Sequence, residues 1–293
     1  MWRRRLAMDA LEPGSTVKPL LVAGALSANA VKPDATFYCE KGKWKYNKIT
    51  VRDTHSYDRL PLNKILSYSS NIGAAKIGLQ LGAKNYYNYL SGLGFGQKTG
   101  LPLPGESLGI LRLPKQWSET DLINASFGQS ISVTGIQMAQ AYLALAAGGE
   151  RRPLKLIMDE SGRPEGEAPA PAPQVFERKS AELVLSMLRE VVEEDGTGTR
   201  ARISIPGIVV GGKTGTAQKA SGGSYGKARL ASFVGIAPLQ NPRYLVLIMV
   251  DEPRNNVYGG VVAAPVFRQV VTHTLAYRGE LPEEKLDMPG NEQ

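Results

Sequence analysis

Apolar positions along this chain follow two different periods, and the switches between them outline its elements. The run Leu20-Leu21-Val22-Ala23-Gly24-Ala25-Leu26 is apolar on every side, which predicts a buried helix over 15–31 that Lys32-Pro33-Asp34 ends. Residues 62–81 repeat apolar positions at helical spacing, but Ser69-Ser70-Asn71 interrupts them, so two helices joined by a polar loop are expected. Three more helices follow: an alanine-rich core helix over 134–147, an amphipathic one over 180–194 ended by Gly196 and Gly198, and a closing one over 264–277. Residues 36–57 instead alternate aromatic, charged and β-branched side chains and predict short strands or an extended excursion over the surface. The β-branched stretch 205–210 predicts a strand leading to Lys213, while 230–237 and 243–250 predict a hairpin across Pro238-Leu239-Gln240-Asn241-Pro242. The C-terminal half therefore reads as three strands capped by a helix. Residues 160–173 form a Pro/Ala/Glu-rich linker, expected to be an exposed loop within the domain.

Composition narrows the class. With 42% hydrophobic and 21% charged residues in 293, the chain is long enough for a large core. Its longest strongly apolar run, 244–250, has the length of a strand and falls far short of the roughly 20 residues of a membrane span. Met1-Trp2-Arg3-Arg4-Arg5 is basic, but no apolar segment follows to make a secretory signal. The single cysteine, Cys39, excludes an intramolecular disulfide, and neither of the two histidines, His55 and His273, lies near it to suggest a metal site. So few histidines also argue against a Ser-His-Asp hydrolase. The net charge of +8 favours anionic partners. Its cations are scattered without a nucleic-acid-binding motif, so an anionic wall polymer or membrane surface fits better than nucleic acid.

Candidate chemistry centres on Glu12-Pro13-Gly14-Ser15-Thr16-Val17-Lys18-Pro19. Pro13 and Gly14 break regular structure just before the apolar helix, which places Ser15 at its start; Pro19 is tolerated in the first turn. Free N–H groups and the positive end of the helix dipole favour negative charge developing there. Serine alone is a weak nucleophile, but the i, i+3 spacing sets Lys18 on the same face, roughly 5–6 Å away at Cβ. A desolvated amine in that position can take the hydroxyl proton. Spacing alone is unspecific, since Ser224-Tyr225-Gly226-Lys227 repeats it.

Two further motifs give it company: Ser69-Ser70-Asn71 and Lys213-Thr214-Gly215-Thr216. Ser-x-x-Lys, Ser-x-Asn and Lys-Thr-Gly in this order are the motif set of penicillin-binding proteins and class A β-lactamases. A second Lys-Thr-Gly, Lys98-Thr99-Gly100, lies among glycines and before Pro102, which predicts a loop with Lys98 as a solvated charge. Together with Ser126-Phe127-Gly128-Gln129, and with Tyr258-Gly259-Gly260 before Ala264-Pro265-Val266-Phe267, the set resembles a class B penicillin-binding protein of the division-specific type from Trp2 to about Tyr277.

That resemblance implies an α+β transpeptidase fold, an antiparallel sheet flanked by helices, with a catalytic domain over 1–278 and a tail over 279–293. It also implies a membrane helix and a pedestal domain ahead of the catalytic domain, and periplasmic placement. Because 14 residues precede Ser15, the first strands of the family's sheet are expected to be missing. The implied activity is D-Ala-D-Ala transpeptidation without a cofactor, inhibited by β-lactams, with stem peptides as substrate and division proteins as possible partners. By the same resemblance Ser15 is the nucleophile, Lys18 its base, Ser69 the relay to the leaving amine and Lys213 the electrostatic partner. Asn71 would hold the acyl-side amide, Thr214, Thr216, Gly215 and Tyr258 would bind substrate, and the N–H groups of Ser15 and Thr216 would form the oxyanion hole. Three alternatives stand beside it: a serine β-lactamase using Glu106 to activate water, a β-lactam-binding sensor, and an inactive fragment.

Overall fold

The computed structural model describes residues 3–157, 171–221 and 224–281. A short helix α1 (Arg5–Met8) leads to a 3-10 turn over Gly14–Val17, which runs directly into helix α2 (Lys18–Ser27). The predicted helix thus starts one turn tighter than expected and stops four residues short of 31. Its stop is local: Asn29 adopts φ +54° and the N–H of Ala30 returns to the carbonyl of Ala25, so a left-handed cap ends the helix before Pro33 acts.

Two small antiparallel pairs follow. Strand β1 (Thr36–Tyr38) pairs with β4 (Arg59–Pro61), and between them β2 (Lys43–Tyr46) and β3 (Ile49–Arg52) make a hairpin. Helices α3 (Leu62–Ser67) and α4 (Asn71–Leu81) are separated at Tyr68-Ser69-Ser70, as the interrupted periodicity predicts. Helix α5 (Ala83–Gly92) and helix α6 (Glu119–Ser126) add to these; α6 is opened by a capping box between Ser118 and Asp121. A second capping box, Thr134 with Gln137, starts α7 (Gly135–Ala146), and α8 (Arg178–Met187) ends seven residues before its expected limit. The proposed linker over 160–173 lies outside the described residues up to 170.

The sheet is antiparallel in the order β5 (Gly211–Ser221), β6 (Ser224–Ala237), β7 (Tyr244–Asp251), with Lys213 opposite Val234 and Gly215 opposite Ser232. The strand expected over 205–210 is not formed. Pro206-Gly207 bends it into a turn, with Gly207 at φ +79° and the N–H of Ile208 bonded to Ile205, and pairing begins only at Gly211. A one-turn helix α9 (Gly259–Val262) and α10 (Ala264–Tyr277) follow the sheet.

Burial explains the layering. Helix α2, with Leu20, Leu21, Val22, Ala23 and Ala25 all buried, is the centre of the helical layer. Gly24 lets the Tyr89 ring of α5 lie where a Cβ would stand, and Gly78 admits Ser126 of α6 against α4. The sheet serves two cores: Val234 and Ile236 join the helical layer, while Phe233 packs against Phe267 of α10 at 4.9 Å between ring centres. The result is an α+β sandwich with β5 at one edge of its sheet.

Candidate active site

The turn that carries Ser15 is clamped on three sides. Gly14, at φ +56°, donates its N–H to the carbonyl of Gly128, and a Cβ on Gly128 would overlap the Gly14 carbonyl oxygen. The Tyr142 hydroxyl of α7 donates to the carbonyl of Thr16 at 2.7 Å, and the Thr16 hydroxyl to that of Pro13 at 2.7 Å. From the sheet, Gly215 presses so close that a Cβ would come within 2.9 Å of the Thr16 methyl. Ser15 sits on this turn, half-buried, and among the described residues its hydroxyl has no hydrogen-bond partner.

Lys18 opens α2 one turn later and is fully buried. Its ammonium nitrogen donates to the Ser69 carbonyl at 2.6 Å, to the Asn71 Oδ1 at 2.8 Å and to the Ser69 hydroxyl at 3.2 Å. Burial lowers its pKa to about 7, with the charge of Asp53 opposing the shift. Lys213 is also fully buried, donates to the Thr214 carbonyl at 3.2 Å and hydroxyl at 3.3 Å, and is pushed well below the ordinary lysine range by burial and by the charge of Lys18. Both amines are fully buried and the charge of Lys18 acts on Lys213, which favours a neutral amine there.

Ser69 occupies the left-handed region at φ +62°, rare for a residue with a side chain. The turn is held from both sides: Lys18 takes its carbonyl, and Asp53 takes its exit. The Asp53 carboxylate accepts from the Ser70 hydroxyl at 2.6 Å and from the N–H groups of Asn71 and Ile72 at 2.5 and 3.1 Å. It therefore adds to the cap that the Ser70 hydroxyl makes on the Gly73 N–H of α4 at 2.9 Å, and fixes Asn71, whose Nδ2 donates to the Arg52 carbonyl at 3.0 Å. No local sequence signal marks Asp53, because its partners lie 17 to 19 residues away.

On strand β5 the side chains divide by face. Thr214 shares a 2.8 Å hydroxyl contact with Thr197, and the Thr216 hydroxyl accepts the N–H of Gly259 at 3.2 Å. Thr197, which the sequence suggests only as part of a helix-ending Gly-Thr-Gly, also bonds the carbonyl of Ser67 and so ties β5 to the end of α3. Gly259 lies so tightly on the carbonyls of Ser232 and Gly215 that no Cβ fits, and this sets Tyr258 at the rim. Tyr258 is 57% exposed and its ring contacts none of the other candidates through a hydrogen bond among the described residues. Lys98 is exposed on a loop, as expected of the second Lys-Thr-Gly. The Glu106 carboxylate is held by the N–H and hydroxyl of Thr99 at 3.0 and 2.6 Å.

A buried serine-lysine turn, a Ser-x-Asn corner bonded to that lysine, and a Lys-Thr-Gly edge strand are thus one assembly. Residues 1–272 match the family model of the penicillin binding protein transpeptidase domain. The chain belongs to that family.

Relatives extend the transpeptidase match. The chain is 36% identical over 287 residues to the probable peptidoglycan D,D-transpeptidase PenA of Neisseria flavescens, covering 97% of this chain and 69% of that one. It is 31% identical to the peptidoglycan D,D-transpeptidase FtsI of Escherichia coli K12, covering 92% of this chain and 44% of the relative. Apart from the first, it spans about half the length of the curated relatives it matches. The transpeptidase-domain structure of Burkholderia pseudomallei penicillin-binding protein 3 superposes with a TM-score of 0.87 at 35% identity, covering 97% of this chain and 84% of that one.

Proposed function

We propose that this chain is the acyl-transfer domain of a peptidoglycan D,D-transpeptidase acting in septal wall synthesis, with Ser15 as nucleophile. The observation that carries this reading is Lys18: buried, tuned to about 7, and one turn from the only candidate serine preceding it on the same helix start. Neutral Lys18 removes the Ser15 proton as its oxygen attacks the penultimate D-alanine carbonyl. The N–H groups of Ser15 and Thr216 bind the oxyanion; β5 is an edge strand, so alternate backbone groups along it are free for substrate. Collapse breaks the peptide bond, and the proton returns through Ser69 to the departing D-alanine amine. A second stem peptide's amine then attacks the ester, forming the cross-link amide and giving the proton back to restore Ser15.

Asn71, Thr214, Gly215 and Tyr258 serve substrate binding in this scheme, and Lys213 supplies positive potential for the substrate carboxylate. β-Lactams acylate Ser15 because they imitate the donor. The β-lactamase reading loses support from Glu106, whose carboxylate is engaged by Thr99. The family resemblance further supports a catalytic domain over 1–278 with a tail over 279–293, a membrane-anchored protein presenting it to the periplasm, and division proteins as partners. Among the described residues no helix is long and apolar enough to cross a membrane.

Intact mass after incubation with benzylpenicillin tests the assignment. A one-to-one adduct is expected, absent in Ser15→Ala. An adduct that survives in the variant places the nucleophile elsewhere, and rapid loss of the antibiotic without an adduct makes the chain a β-lactamase.

A further inference from the structure

The β2–β3 hairpin carries a charge pattern that its own stability does not explain. Residues 41–52 contain Lys41, Lys43, Lys45, Lys48 and Arg52 and no carboxylate. All five are exposed, while Trp44, Tyr46 and Val51 turn inward on the opposite face and pack on the main core. Lys43 lies directly opposite Arg52 in the register, and like charges so placed repel.

Nearby carboxylates are engaged elsewhere. Glu40 pairs with Lys76 at 2.6 Å, Asp53 caps α4, and Glu119 at the hairpin tip accepts from the Tyr46 hydroxyl at 3.1 Å and from Asn47 at 3.5 Å. Among the described residues no carboxylate lies within ion-pair distance of the five cations. An unneutralised cationic face with a repulsive cross-strand pair is built for an anion that arrives from outside.

Its position says which anion. The root of the hairpin is part of the site: the Arg52 carbonyl holds Asn71, and Asp53 holds the Ser69 turn. We propose that the outer face of this hairpin docks uncross-linked peptidoglycan strands, whose stem peptides present a terminal carboxylate at each repeat, and so delivers donor peptides to Ser15. This rests on the transpeptidase reading. A repeating polyanion suits an array of cations better than a single anion does, because each contact raises the effective concentration of the next.

The test uses the full chain carrying Lys43→Gln, Lys45→Gln and Lys48→Gln together, all exposed and outside the catalytic set. The probes are soluble uncross-linked peptidoglycan strands and, separately, phosphatidylglycerol vesicles. Strand affinity should fall about tenfold in the variant, with a shallower salt dependence, since surface charge contacts are individually weak but sum. The benzylpenicillin acylation rate should stay within about twofold, since that small ligand needs no second surface. Equal strand binding by both proteins overturns the proposal, and so does a loss confined to vesicles, which would make the face a lipid contact. Absence of acylation in both proteins counts against the transpeptidase reading instead, and the strand comparison still decides the hairpin.

Discussion

Burial leaves Lys18 partly neutral near neutral pH, as the base role proposed for it requires. With its pKa lowered to about 7, the neutral amine should increase about tenfold between pH 6 and 8, and the benzylpenicillin acylation rate should rise by the same factor and then level off. Stopped-flow acylation across that range checks it; a flat profile would remove Lys18 from the proton transfer. Asp53 supplies the opposing influence. Its negative charge raises the pKa of Lys18, so Asp53→Asn, which keeps an acceptor for the α4 N–H groups, should move the rising limb to lower pH. Asp53→Ala also removes the acceptor for the Ser70 hydroxyl and the Asn71 and Ile72 N–H groups, and releasing the Ser69 turn should slow acylation up to about a hundredfold, the scale of a misplacement near 1 Å. A limb that moves to higher pH in Asp53→Asn would contradict the electrostatic role. Lys18, Ser69, Asn71 and Lys213 were legible as motifs because each sits in a short, ordered pattern. Asp53 and Thr197 were not, because a cap reaching across 18 residues and a hydroxyl contact across 17 leave no local period.

At the scale of elements, the candidate site depends on approaches that only glycine permits. Gly128 holds φ +82° with its Cα turned onto the Gly14 backbone, so Gly128→Ala must displace the turn that carries Ser15. We expect a lower melting temperature together with a large loss of acylation. Gly207→Ala is the control: its φ is +79°, but open space surrounds it, so only the backbone cost of about 1 kcal/mol applies and acylation should persist. Equal losses in the two variants would mean that backbone strain, not the clamp on the Ser15 turn, is responsible. The same contrast explains what the chain's pattern reveals of its elements. The helices of 62–81 and 264–277 follow from apolar periodicity and polar breaks, which act locally. The strand expected over 205–210 fails because Pro206-Gly207 dictates a turn more strongly than β-branched neighbours favour extension, and strand preference depends on a partner that only the fold provides. The close packing of Gly14, Gly128 and Gly215 could not be read in advance, since glycine marks a close approach without naming what approaches.

Across the whole molecule the sheet joins two cores, and the consequence is mechanical. Strand β5 carries Lys213 to Thr216, yet its inner neighbour β6 places Val234 and Ile236 in the helical layer and Phe233 against α10. Phe233 also abuts Gly198 and Gly212, so the α10 core supports the start of β5 and the loop that contributes Thr197. Phe267→Ala, far from the chemistry, should therefore cost about 3–5 kcal/mol and lower the melting temperature by about 10 °C. Because β6 is shared, helical circular dichroism and benzylpenicillin labelling should be lost in one transition, in the variant as in the parent chain. Labelling that disappears well below the loss of helical signal would show that the sheet and α10 melt as a separate unit, and that α2 with its Ser15 turn stands without them. The geometry favours one transition: Gly215 and Ala217 lie against Thr16 and Gly14, so the sheet cannot leave without uncovering the turn that carries Ser15, and that turn cannot relax without disturbing its contact with β5.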